Sequence, residues 1–118
     1  MADDDAILVE MVRFRLEGAG HKVLCASDGE VALDLARTER PDLIVLDSMM
    51  PIVSGPEVLA RLKADEQLKA IPVVMLTARK GESDVVAALQ SGVDEYLTKP
   101  FIPRELLVRI DSLLNNSL

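Results

Sequence analysis

The run Pro41-Asp42-Leu43-Ile44-Val45-Leu46-Asp47-Ser48-Met49-Met50-Pro51 constrains this chain more than any other stretch. Leu43 to Leu46 form an unbroken aliphatic run, with a proline upstream and a second one after Met50. A half-exposed strand would alternate apolar and polar positions, so an unbroken run reads as a strand covered on both faces, as in a parallel sheet. Asp47 stands where that strand stops. Open parallel sheets bind ligands beyond the carboxyl ends of their strands, which makes this carboxylate a site candidate; the plainer reading is that Asp47 only opens a turn.

The rest of the chain alternates around this strand. Helices are predicted over Asp5–Glu17, Glu30–Thr38, Pro56–Ala64, Glu82–Gln90 and Pro103–Leu114 from apolar residues recurring at three- and four-residue spacing. In the first, Ile7, Leu8, Met11, Val12 and Leu16 form the apolar series; in the second, Val31, Leu35 and the alanines face inward. Strands are predicted over Val23–Ala26, Leu43–Leu46, Val73–Leu76 and Glu95–Thr98. Alternating helices and strands imply parallel strands joined by right-handed crossovers, a three-layer α/β domain.

Composition fits one such domain spanning residues 1–118: 49% of the residues are hydrophobic and 28% charged, and aromatics are only 3%, so aliphatic side chains do the packing. A net charge of -7 argues against direct binding of nucleic acid or an anionic membrane and favours cations or basic partners. No stretch approaches the ~20 apolar residues of a membrane span and no basic, apolar leader is present, so a cytoplasmic location is expected. The lone cysteine, Cys25, reads as a small buried hydrophobe, and His21 as a surface residue of the turn after the first helix.

Each strand end carries a different polar residue: Asp47, Thr77 and Lys99, with Asp3 and Asp4 beside the first helix. A parallel sheet brings these to one edge as carboxylates, a hydroxyl and an ammonium. That set suits a phosphoryl group with Mg²⁺, because hard oxygen ligands hold the ion while the ammonium and hydroxyl take the remaining negative charge. An aspartate can also be the nucleophile and form an acyl phosphate. A Mg²⁺-dependent phosphatase is disfavoured because Met49 stands where such enzymes carry their second acid.

At these residues the chain resembles the receiver domain of two-component response regulators, the CheY-like class. The resemblance runs through Asp3-Asp4-Asp5, Ala26-Ser27-Asp28-Gly29-Glu30, Pro41 to Asp47, Met50-Pro51, Ser54-Gly55, Pro72 to Ala78, and Gly92 to Phe101. It implies a flavodoxin-like, doubly wound parallel sheet of strand order 2-1-3-4-5. It further implies that Asp47 accepts a phosphoryl group from a histidine kinase or phosphotransfer protein, with at most self-phosphorylation and self-dephosphorylation as enzyme activity. Asp3, Asp4, Asp47 and the backbone carbonyl of Met49 then hold Mg²⁺, Lys99 contacts the phosphoryl group, Thr77 moves to hydrogen-bond it, and Tyr96 follows Thr77 inward. The Lys99–Pro100 bond is expected to be cis. The alternative is a receiver-shaped interaction or scaffold domain that no longer switches.

One departure bears on the fold. The apolar strand that the family carries ahead of its acidic pair has no counterpart, because only Met1 and Ala2 precede Asp3. The expectation is therefore an N-terminally truncated receiver without an effector domain, with four strands and five helices. The strand at Val23 is expected to slide across to the one at Leu43, or the exposed edges to pair in a homodimer or strand-exchanged oligomer.

Overall fold

In the computed structural model, which describes residues 1–77 and 92–116, the central aliphatic run forms strand β1, Ile44–Asp47, with all of its residues buried. Strand β2, Val73–Thr77, is likewise buried throughout, and β3, Glu95–Thr98, is half-buried at the sheet's edge. The strands are parallel in the order β1-β2-β3, with Ile44 opposite Val73 and Met75 opposite Tyr96. Strand side chains alternate between two cores, as the two-residue period of a strand requires. Ile44, Leu46, Val73 and Met75 pack with α2 (Gly29–Glu39) and α3 (Gly55–Ala64) on one face. Val45, Val74, Leu76 and Leu97 pack with α1 (Ala6–Gly18) and α4 (Pro103–Asn116) on the other. This is the expected three-layer α/β arrangement. The helix expected over Glu82–Gln90 lies outside the described residues.

The amino terminus departs from the expectation. Ala2 N–H donates to the Val45 carbonyl at 2.8 Å, and Asp47 N–H donates to the Ala2 carbonyl at 2.8 Å. On the opposite side, Ala26 N–H donates to the Met1 carbonyl at 3.0 Å and Asp3 N–H to the Ala26 carbonyl at 3.1 Å. Met1 to Asp3 thus form a short parallel rung between β1 and the segment ending at Ala26. The Val23 segment has not slid onto β1; these residues hold it one strand further out. Nor is it a continuous strand, because with so short a neighbour it makes a single bridge, at Ala26. In outline the segments still lie in the order 2-1-3-4-5.

Helix rotation also differs from the spacing. α1 buries Val9, Val12 and Leu16, while Ile7, Met11 and Phe14 are exposed, Ile7 at 76%. α2 turns Ala32, Leu33 and Ala36 inward and leaves Val31 outside. Polar caps start these helices: Asp5 accepts from Leu8 N–H at 3.1 Å and Asp28 from Val31 N–H at 2.9 Å. Cys25 is only partly buried, and His21 Nε2 lies 3.4 Å from Asp111 Oδ1 on α4. No helix among the described residues is long and apolar enough to cross a membrane.

Candidate functional site

Three strand ends and the amino-terminal rung converge at the carboxyl edge of the sheet. Asp47 is the last residue of β1 and Thr77 the last of β2, and both are buried. Lys99 follows β3; its N–H donates to the Thr77 carbonyl at 2.7 Å, and the cis peptide bond to Pro100 turns the chain there. That backbone link sets the lysine side chain over the edge, where Nζ lies 2.9 Å from Asp3 Oδ2 and 3.3 Å from Asp47 Oδ1. Asp3, Thr77 and Lys99 come from segments far apart in the sequence, and the parallel topology is what assembles them.

The acidic run at the amino terminus splits into separate roles. Asp3 is buried at 2% exposure and pairs with Lys99. Asp4 is exposed at the mouth of the site, and Asp5 caps α1. Carboxylate oxygens of Asp3, Asp4 and Asp47 all lie within 4.8 Å of one another. Met49 N–H lies 3.4 Å from Asp47 Oδ1, which places the Met49 backbone beside that carboxylate, while its side chain is exposed. Tyr96 lies half-buried on β3, two residues before the Thr98 that pairs with Thr77.

Burial and the nearby Asp3 charge raise the Asp47 carboxyl from its ordinary 3.8 to about 6, against the opposing pull of Lys99 and of the Met49 N–H. Burial works against the Lys99 ammonium, yet the hydrogen bond and charge of Asp3, joined by Asp47, outweigh it and raise its pKa above 10.5. Among the described residues, Lys99 is the one cation set against three carboxylates there, so these groups leave excess negative charge on hard oxygen donors, and Asp4 leaves the site open to water. Such a donor set fits Mg²⁺, which takes one or two carboxylates and keeps several waters.

A further determinant went unrecognised in the sequence. A Cβ on Gly55 would lie 2.2 Å from the Asp47 carbonyl oxygen, so only glycine lets α3 start this close behind the site. Gly29 meets the same limit against the Val53 carbonyl at 2.0 Å, which pins the loop after β1 to the start of α2. The Ser54-Gly55 pair was the available signal, although it reads locally as no more than a turn before a helix.

A sequence profile described as the response regulator receiver domain matches residues 1–111. The chain is 45% identical over 117 residues to the alkaline phosphatase synthesis transcriptional regulatory protein PhoP of Bacillus subtilis, covering 99% of this chain and 48% of that protein. It is 42% identical to the phosphate regulon transcriptional regulatory protein PhoB of Pseudomonas aeruginosa, covering 99% of this chain and 51% of that one. The chain therefore spans about half the length of these relatives. Among solved structures, the receiver domain of a Francisella response regulator superposes with a TM-score of 0.93 at 36% identity, covering 99% of this chain and 95% of that one. The receiver domain of a Pseudomonas aeruginosa sensor histidine kinase, solved with a magnesium ion in its active-site cleft, superposes with a TM-score of 0.86 at 27% identity, covering 97% and 93%.

Proposed function

The chain belongs to the response regulator receiver domain family, and from that premise we propose that it is a phosphoacceptor in which Asp47 takes a phosphoryl group from a histidine kinase or phosphotransfer protein. An Asp47 carboxylate oxygen attacks phosphorus in line, the P–N bond of the donor phosphohistidine breaks, and its imidazole leaves with the electron pair. The Lys99 ammonium, already 3.3 Å from Asp47, pairs with the phosphoryl oxygens as charge accumulates on them. Asp3, Asp4, Asp47 and the Met49 carbonyl would hold Mg²⁺, which when bound supplies the remaining positive charge to those oxygens. Thr77 donates its hydroxyl to the new acyl phosphate and Tyr96 follows it inward, altering the surface formed by β3 and α4.

The observation that carries this reading is the meeting of Lys99 with both Asp3 and Asp47 at the carboxyl edge of the sheet. The scaffold alternative has no observation in its favour. The same reading puts the domain in the cytoplasm as a phosphoacceptor rather than a separate enzyme, its own phosphorylation and dephosphorylation aside. The named relatives are transcriptional regulators, so a transcriptional output belongs to the proposal for the protein as a whole. Incubation with acetyl phosphate and Mg²⁺ is expected to add one PO₃ unit by mass spectrometry, at Asp47, and Asp47→Asn to abolish the gain. Label that survives in Asp47→Asn, or that maps to His21, refutes the assignment.

A further inference from the structure

Helix α1 carries two apolar faces. Val9, Val12 and Leu16 turn inward, while Ile7, Met11 and Phe14 stand 76%, 52% and 79% exposed. At ~100° per residue the two sets point in opposite directions, so packing on the sheet does not account for the outer one. A spacing of four and then three residues puts Ile7, Met11 and Phe14 in one stripe, the d-a-d pattern of a two-stranded helical seam. Single exposed hydrophobics are ordinary, but three in line along one helix form a patch. The charges beside the stripe differ on its two sides. Glu10 and Glu17 flank it on one side, with Arg13 behind them at 3.7 Å and 3.0 Å. Arg15 flanks it on the other, exposed and making no ion pair among the described residues. In heptad terms Glu10 is a g position and Arg15 the e position that follows it. Two copies of α1 packed in parallel therefore set Glu10 of each against Arg15 of the other, twice about one two-fold axis. Antiparallel packing would instead oppose the two acidic flanks.

We propose that the outer face of α1 is a self-association surface, on which a second copy of this chain packs its own α1 in parallel, with Ile7, Met11 and Phe14 against their counterparts. The Asp5 N–H bonds Asp3 Oδ1, so α1 starts beside the site; a parallel pair directs both carboxyl edges the same way and leaves both open. Association of this kind is independent of phosphoryl transfer at Asp47. Three side chains on each helix cover far less than the ~800 Å² per partner of a standard interface, so the dimer is weak, half-formed between ~100 µM and ~1 mM. The net charge of -7 on each copy opposes association, but ~0.15 M salt screens it beyond ~8 Å, whereas the seam and its flanking charges are in contact.

Sedimentation equilibrium of the 118-residue chain is expected to give the mass of one chain at ~10 µM and an average rising towards two at ~1 mM. Phe14→Glu, with its fold checked by circular dichroism, is expected to weaken association at least ~10-fold. Glu10→Arg and Arg15→Glu each oppose like charges twice in a parallel pair and should weaken it ~3-fold or more. Their equimolar mixture, in which both contacts again join opposite charges, should restore it. A single-chain mass at ~1 mM overturns the proposal and assigns the stripe to a helix of another protein. So do wild-type association by Phe14→Glu, a mixture no heavier than its separate components, and a Glu10→Arg chain that associates more tightly, which marks antiparallel pairing.

Discussion

Replacing Asp47 with asparagine should stabilise this protein, although it removes the group on which the proposed chemistry depends. The folded state holds the Asp47 carboxyl at about 6 against an ordinary 3.8, so the ionised form is disfavoured by the fold. At 1.36 kcal/mol for each tenfold change, that gap corresponds to at most about 3 kcal/mol of destabilisation at neutral pH, and solvent screening at the open mouth of the site lowers it to about 1–3 kcal/mol. Asparagine resembles the neutral acid in shape and leaves Lys99 paired with Asp3 at 2.9 Å. The sign follows from proton binding: between the two pKa values the folded wild type holds more protons than the unfolded chain, so its stability falls as pH rises through that window. Asp47→Asn lacks this loss. Urea unfolding in EDTA should therefore show the variant more stable by about 1–3 kcal/mol at pH 8, with the difference shrinking below ~1 kcal/mol at pH 4. A variant less stable than wild type at pH 8, or a difference that does not change with pH, refutes the account of Asp47 as a carboxylate held against its preference.

The remaining predictions concern the charges and the packing around Asp47. Mg²⁺ at ten times its dissociation constant should stabilise the wild type by about 1.4 kcal/mol, read as a rise in Tm, and should do much less for Asp3→Asn or Asp47→Asn; equal shifts in all three would place the ion elsewhere. Lys99→Met leaves the fully buried Asp3 side chain without its cation and should cost about 3 kcal/mol in urea unfolding while slowing phosphoryl labelling from acetyl phosphate. Because the pKa of Lys99 is raised, its contribution is present below about 10.5 and is lost as pH climbs through the higher folded value, so the wild type alone should weaken in that range. Gly55→Ala forces a Cβ against the Asp47 carbonyl and should destabilise by about 1–3 kcal/mol, whereas Gly18→Ala, with nothing within 4 Å, should stabilise by about 0.5–1 kcal/mol. Thermal unfolding of the pair tests the contrast, and equal effects would mean that the close approach behind the site is not felt.

What the sequence made legible, and what it left hidden, follows from how far each determinant reaches along the chain. β1 is readable because an unbroken aliphatic run next to prolines can be covered on both faces only inside a parallel sheet. Once the alternation of helices and strands makes that sheet parallel, Asp47, Thr77 and Lys99 share an edge without any knowledge of side-chain contacts. The inward face of α1 is not readable in this way: Ile7, Met11 and Phe14 are as apolar as Val9, Val12 and Leu16, and spacing alone cannot choose between two faces of one helix. The docking of Met1–Asp3 chooses, since Asp5 N–H bonds Asp3 Oδ1 at 2.9 Å and ties the start of α1 to the rung. That rung has no signature of its own, being too short for a period-two pattern and stabilised by backbone bonds to Val45 and Ala26 that no side chain announces. The three neighbouring aspartates show the consequence. They look alike as an acidic terminus, yet the ladder bonds of Ala2 bury Asp3 against Lys99, leave Asp4 at the mouth of the site and hand Asp5 to the helix. Side-chain identity names the chemistry available at this edge, and backbone pairing assigns each of three similar acids its place: one buried against the lysine, one at the mouth and one capping the helix.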